Sequence, residues 1–197
     1  AGIHRVSFLI PAHQRINIEL LDFKKPFMEK KKIIRKICLL GDGGVGKTSL
    51  ISRYVLNSYS DEYVKSIGTR VSKKVMDYDG TELTLMIWDV LGQKSQKSLH
   101  AAYYRGANGV LLVCDNAREE TLLHLPTWRR DLEDVTGPIP LVAIVNKADL
   151  ESALSKDALA QVFSTLGRSP LYTSAKSGEG VQAAFETLGQ EIIEVSK

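Results

Sequence analysis

Apolar residues in this chain fall into short dense runs divided by polar segments, and from residue 33 onward two periods alternate. Ile33-Ile34-Arg35-Lys36-Ile37-Cys38-Leu39-Leu40 is short, apolar and β-branched, which predicts a buried strand. Thr48 to Val55 carries its apolar residues mostly on one side and predicts a helix. The polar stretch Asn57 to Ser66 reads as a loop. Thr69 to Tyr78 and Glu82 to Asp89 read as strands joined by a tight turn at Asp79-Gly80, so one edge strand runs antiparallel. Val110 to Cys114 and Leu141 to Val145 are continuous apolar runs, as central strands covered on both faces require. Pro170-Leu171-Tyr172-Thr173 is a last short strand. Helices are predicted near 94–104, 121–135, 155–166 and 180–195; Pro126 moves the start of the second toward Leu125, since proline is tolerated only in a first turn. The alternation predicts an α/β sheet of six strands, parallel except at one edge, with helices on both faces.

Residues 1–27 stand apart. Val6 to Ile10 and Arg15 to Phe23 suggest the two strands of a hairpin, turned at Pro11-Ala12-His13-Gln14. Met28, followed by Glu29-Lys30-Lys31-Lys32, has the look of a natural start. The first 27 residues therefore read as a true extension, an upstream misreading or an appended segment, and 28–197 as one domain. Pro11, His13 and Arg15 interrupt any signal-peptide core.

Composition adds mainly exclusions. The 197 residues suffice for one domain with a proper core, and 25% charged with 44% apolar residues is ordinary for a globular chain. A net charge of +3 is too small to argue for nucleic acid or an anionic membrane. Cys38 and Cys114 both lie in apolar runs and read as core thiols in a reducing, cytoplasmic compartment. The four histidines have no ligand spacing, and no apolar run reaches membrane-spanning length. The expectation is a monomer without nucleic-acid partners. With no acylation motif at the start and no cysteine near the end, no lipid anchor is expected either.

The chemistry starts at Gly41-Asp42-Gly43-Gly44-Val45-Gly46-Lys47-Thr48, which fits G-x-x-x-x-G-K-[ST] between a predicted strand and a predicted helix. Glycines let successive backbone N–H groups turn toward phosphate oxygens, and the helix N-terminus adds partial positive charge. Lys47 is placed to reach the outer phosphates, and the Thr48 hydroxyl to hold Mg²⁺. Three more segments follow predicted strands: Trp88-Asp89-Val90-Leu91-Gly92-Gln93, Asn146-Lys147-Ala148-Asp149 and Ser174-Ala175-Lys176. All four lie at C-terminal strand ends, the edge where open α/β sheets bind ligands.

Taken in that order, these motifs resemble the small GTPases of the Ras superfamily over about residues 31–195, and the Rab branch most. Met86-Ile87-Trp88-Asp89 and Tyr103-Tyr104-Arg105-Gly106-Ala107 carry the Rab likeness. The resemblance implies a P-loop G domain that binds GTP or GDP with Mg²⁺, hydrolyses GTP slowly and serves as a switch in vesicle traffic. An exchange factor, a GTPase-activating protein and effectors are implied as partners. It implies that Gly43, Gly44, Val45, Gly46, Lys47, Thr48 and Ser49 hold phosphates, with Thr48, Ser66 and Asp89 around the ion. The Gly92 N–H meets the γ-phosphate, and Gln93 orients the attacking water; with Lys47 these form the catalytic set. Asn146 and Asp149 read guanine, the Lys147 stem covers the ring, and Ser174, Ala175 and Lys176 complete the base pocket. Tyr59 stands edge-on to the base and Tyr63 over the γ-phosphate. Guanine also follows from hydrogen-bond chemistry. Its N1–H and N2–H₂ are parallel donors that one carboxylate accepts together, whereas adenine would leave Asp149 unpaired.

The chain departs from the family pattern in places. Ser66 stands where a threonine is usual, and Val90-Leu91 are bulkier than the usual Thr-Ala. Lys94 replaces a glutamate, and Thr69-Arg70-Val71 replaces Val-Asp-Phe. An aromatic effector triad would be Val71, Trp88 and Tyr103, without its phenylalanine. Two readings therefore stand at this stage. One is a hydrolysing switch, and the other a hydrolysis-defective nucleotide-binding scaffold.

Overall fold

The computed structural model describes residues 30–57, 70–78, 80–90 and 97–197, with 97–100 described by backbone. Six strands, β1 (Lys31–Leu40), β2 (Arg70–Tyr78), β3 (Thr81–Asp89), β4 (Gly109–Asp115), β5 (Leu141–Asn146) and β6 (Pro170–Thr173), form one sheet in the order β2-β3-β1-β4-β5-β6. Only β2 is antiparallel to its neighbour. Tyr78 pairs with Thr81, and Gly80 between them takes a left-handed backbone (φ 74°). The helices are α1 (Lys47–Leu56), α2 (Lys97–Tyr104), α3 (Glu119–Leu123), α4 (Leu125–Thr136), α5 (Lys156–Leu166) and α6 (Val181–Glu194).

One predicted helix is two. The 121–135 segment divides at His124, because Pro126 in the first turn of α4 cannot donate a backbone hydrogen bond back into α3. Glu119 and Glu120 sit in the first turn of α3, where carboxylates favour the helix dipole, so α3 starts before Thr121. The part of the predicted 94–104 helix that is described begins at Lys97; residues 94–96, Thr69, Asp79 and the predicted 1–27 hairpin lie outside the described residues.

The strands pack as their patterns imply. β4 and β5 are buried at every position, while edge strand β2 is largely exposed. One apolar cluster joins the sheet to α1 and α6 through Leu50, Ile51, Phe185, Leu188 and Ile192. There the Tyr54 and Phe185 rings stack at 4.0 Å, nearly parallel. The other cluster joins the opposite face to α2, α4 and α5 through Tyr104, Trp128, Leu132 and Phe163. Val90, one of the bulky replacements, belongs to this second cluster and is 1% exposed. Its side chain thus fills core volume. The β1–β3–β4–β5–β6 strands all end on one edge, and the connections that carry polar motifs gather there.

Candidate nucleotide site

The loop from Gly41 to Gly46 leaves the end of β1 and turns directly into α1. Two of its glycines are required by their neighbours as well as by φ. A Cβ on Gly41 (φ 143°) would lie 2.1 Å from the Val113 carbonyl oxygen, and one on Gly46 (φ 97°) 2.3 Å from Asn146 Nδ2. The Lys47 side chain folds back over the loop. Its Nζ donates to the carbonyls of Gly41 (2.8 Å) and Asp42 (2.9 Å) and is buried. Burial lowers this ammonium to about 8, against the opposing pull of Asp89 and Asp42.

Thr48 is the second residue of α1, and its hydroxyl donates to Asp89 Oδ2, at the end of β3, at 2.5 Å. Asp89 is 3% exposed. A hydroxyl and a buried carboxylate at one point form an oxygen donor set of the kind a hard divalent cation takes. No cluster of three or more His, Cys, Asp or Glu among the described residues could hold a metal, so a cation here would draw on hydroxyl, carboxylate and phosphate oxygens.

Asn146 ends β5 and is 1% exposed. Its Nδ2 donates to the Val45 carbonyl at 2.9 Å. Its Oδ1 accepts from Thr173 Oγ1 at 2.9 Å and from the Ala175 N–H at 3.3 Å. One amide thus ties three strand-end segments together. Asp149, exposed at the rim, accepts from Ser174 Oγ at 2.6 Å, which orients the carboxylate beside the Ala175 loop. Lys147 takes a left-handed backbone (φ 64°), and its Nζ turns away to Asp115 Oδ2 at 2.6 Å.

The sequence-predicted residues Lys47, Thr48, Asp89, Asn146, Asp149, Ser174 and Ala175 therefore come together at one edge. Gly43, Gly44, Val45 and Ser49 lie along the same loop and first helical turn. The Lys147 ammonium and the exposed Lys176 side chain do not converge with them. Lys176 takes part through its backbone carbonyl, which accepts from Arg53 Nη2 at 2.6 Å. Tyr59, Tyr63, Ser66, Gly92 and Gln93 lie outside the described residues.

Several contributors had escaped the sequence reading. Arg53 also donates to the Ala175 carbonyl at 2.9 Å, so α1 clamps the Ser174–Lys176 loop. Asp42 accepts from Trp128 Nε1 at 2.8 Å and pairs with His124 Nδ1 at 2.6 Å, which ties the phosphate loop to α4. Asp115 ends β4 and is fully buried. Burial pushes its carboxyl up, but Lys147, the Ala117 N–H and Arg118 outweigh that and hold it below the usual carboxylate range. Asp115 was legible in principle, since it obeys the same strand-end rule as Asp89 and Asn146. Arg53 and Arg118 carry no such signal, because helix and turn arginines are usually solvated.

A glycine loop, a clamped lysine and an amide that ties the strand ends together on the C-terminal edge of a mainly parallel sheet define a P-loop nucleotide-binding protein. The chain belongs to the Ras family, whose model matches residues 36–194. It is similar to Ras-related protein Rab-7a of Dictyostelium discoideum, at 36% identity over 174 residues, 84% of this chain and 86% of the relative. It is also similar to the Ypt/Rab-type GTPase YPT7 of Saccharomyces cerevisiae, at 36% over 175 residues and 84% of each chain. Ras-related protein Rab-9B of Mus musculus is 34% identical over 177 residues, 86% of this chain and 88% of the relative. The chain is accordingly a Rab-like small GTPase: it binds GTP and GDP with Mg²⁺, hydrolyses GTP and acts as a nucleotide-dependent switch toward regulators and effectors. No helix among the described residues is long and apolar enough to cross a membrane.

Proposed function

We propose that the strand-end cleft is where GTP is held and cleaved, with the division of labour the motifs imply. The N–H groups of Gly43 to Thr48 take the α- and β-phosphates, with Ser49 beside them in the first turn. Lys47 stays over the β- and γ-phosphates, because its two carbonyl partners hold it there while leaving its third hydrogen for a ligand. Mg²⁺, when bound, supplies charge neutralisation to the β- and γ-oxygens. Thr48, Asp89 and Ser66 are the residues to hold it. Gln93 orients the attacking water, the Gly92 N–H meets the γ-phosphate, and Tyr63 covers it.

The observation that carries this reading is the Asn146 amide, which joins the phosphate loop to the base pocket in one rigid unit. The second hydrogen on Nδ2 remains for a base nitrogen. Asp149, steadied by Ser174, accepts from N1–H and N2–H₂ of guanine, and the Ala175 N–H is directed at its O6. The Lys147 stem lies over the ring while its ammonium is anchored on Asp115. Tyr59 flanks the base, and Lys176 closes the pocket with its backbone.

Residues 28–197 form the switch domain in this reading, and Val71, Trp88 and Tyr103 form part of the effector face. Trp88 and Tyr103 lie 6.5 Å apart, with the Lys36 ammonium 4.0 Å above the Trp88 ring. A role in vesicle traffic follows the Rab names of the relatives. The test is Asp149→Asn. The amide cannot accept two hydrogen bonds, so GTP affinity should fall by several kcal/mol, while xanthosine triphosphate should bind better than it does to wild type, its 2-oxo group accepting from the new NH₂. Equal GTP affinity in wild type and variant would remove Asp149 from the base pocket.

A further inference from the structure

Four carbonyls of the phosphate loop each accept from a side-chain donor. Lys47 takes the carbonyls of Gly41 and Asp42, and Asn146 takes that of Val45. The fourth, Gly43, accepts from Arg118 Nη2 at 2.9 Å. No motif includes Arg118; it lies 75 residues away in sequence.

Its position is fixed from below. Arg118 Nε donates to the buried Asp115 carboxylate at 3.0 Å, the same Oδ2 that holds Lys147. The backbone is fixed too. The Arg118 N–H donates to the Asp115 carbonyl, and the Arg118 carbonyl accepts from Thr121 Oγ1 at 2.7 Å. That hydroxyl accepts in turn from the Asp115 N–H, and Thr121 is fully buried. The guanidinium is therefore held with little rotamer freedom left to lose, its side chain 38% exposed.

A hydrogen bond at one end of a peptide polarises the other end. A cation on the Gly43 oxygen draws electron density from the Gly43–Gly44 peptide, and the Gly44 N–H becomes a stronger donor. Without Arg118 the Gly43 carbonyl would lose the side-chain donor that holds it. Within one planar trans peptide the carbonyl and the N–H point in opposite directions, so a donor on the Gly43 oxygen lies across that peptide from the Gly44 N–H.

We propose that Arg118 is a positioning residue for nucleotide diphosphate binding: anchored on Asp115, it orients and polarises the Gly43–Gly44 peptide whose N–H faces the phosphates. This rests on the assignment of the loop to the phosphates above. Lys147 on the same carboxylate makes Asp115 the joint between base-side and phosphate-side contacts.

The experiment compares GDP with GMP, because the loop's outer contacts serve the β-phosphate and the base contacts serve both nucleotides. Competition binding on the full chain gives the ratio of the two affinities. Arg118→Met, of similar length and without donors, should weaken GDP by about five- to tenfold and leave GMP within about twofold. Arg118→Lys should fall between Met and wild type, since an ammonium can take the Gly43 carbonyl but lacks the planar fork. An equal loss for both nucleotides, as a role confined to holding the 115–121 turn would give, overturns the proposal. So does an unchanged ratio, or a lysine variant no better than methionine. Lys47→Ala tests the loop itself. If it leaves the GDP to GMP ratio unchanged, the loop is not the phosphate site and both readings fall. If it collapses the ratio and Arg118→Met does not, only the role of Arg118 falls.

Discussion

Cys38 and Cys114 lie on adjacent strands, each fully buried, and their chemistry follows from that burial alone. Removal from water disfavours the thiolate. Cys38 is pushed up to about 11, with Lys36 pulling slightly the other way, and Cys114 to about 12, with the Asp115 charge adding to the effect. Each sulfur also lies against a backbone carbonyl, Tyr103 for Cys38 and Ile144 for Cys114. At pH 8 the thiolate fraction of either is about one in a thousand or less, and the thiolate is the species that alkylates. Neither thiol should react with iodoacetamide in the native protein, and both should react once denaturant opens the core. Labelling of the folded chain at the rate of a free cysteine would contradict this. At this scale the sequence was informative, since both thiols fall inside apolar runs. Arg118 was not, because its partners lie 3 and 75 residues away and only the folded turn brings them together.

Elements were legible wherever periodicity was strong. The buried runs of β4 and β5 could be read from their continuous apolar character, and α5 and α6 lie within a residue of their predicted bounds. The α3–α4 division was less so, since a five-residue helix contributes barely one turn of pattern, and Pro126 was the only cue. What periodicity could not give was which helix covers which face. The Tyr54–Phe185 stack answers that for α1 and α6, which share one face of the sheet. Phe185 is 0% exposed and packs into the cluster that backs β1 and β3, the strands that deliver the phosphate loop and Asp89. Phe185→Ala leaves a cavity that the stacked tyrosine cannot fill. It should cost about 3–5 kcal/mol of stability, read from denaturant unfolding in the presence of GDP. A loss below about 1 kcal/mol would mean that α6 is not a structural backing for the site.

The whole molecule sets a rate. Among the described residues, the phosphate loop is held by Arg118 in the turn after β4, by Asn146 at the end of β5 and by His124 and Trp128 at α4. Fast unaided phosphoryl transfer also needs a positive charge on the transferring group from the solvent side, which in fast family members is an arginine two residues before the switch threonine. Here that position is Val64, with Lys65 directly before Ser66. Among the described residues, Arg118 bonds the loop at the Gly43 carbonyl, the end of that planar trans peptide opposite the Gly44 N–H. In the role proposed for it above, its charge acts on the Gly43–Gly44 peptide. Intrinsic turnover should therefore be slow, on the order of 10⁻⁴ to 10⁻³ s⁻¹, with an external activating protein supplying the missing charge. In the role proposed for Gln93, Gln93→Leu should abolish even this reaction and leave GTP affinity intact, since it would remove a group that orients water and not one that holds the nucleotide. Single-turnover hydrolysis of preloaded GTP measures both. Turnover of wild type near 10⁻² s⁻¹ or faster, the rate of relatives with a built-in arginine, would show that a cation of this chain does reach the γ-phosphate. Unchanged turnover in Gln93→Leu would transfer the positioning of water to another group.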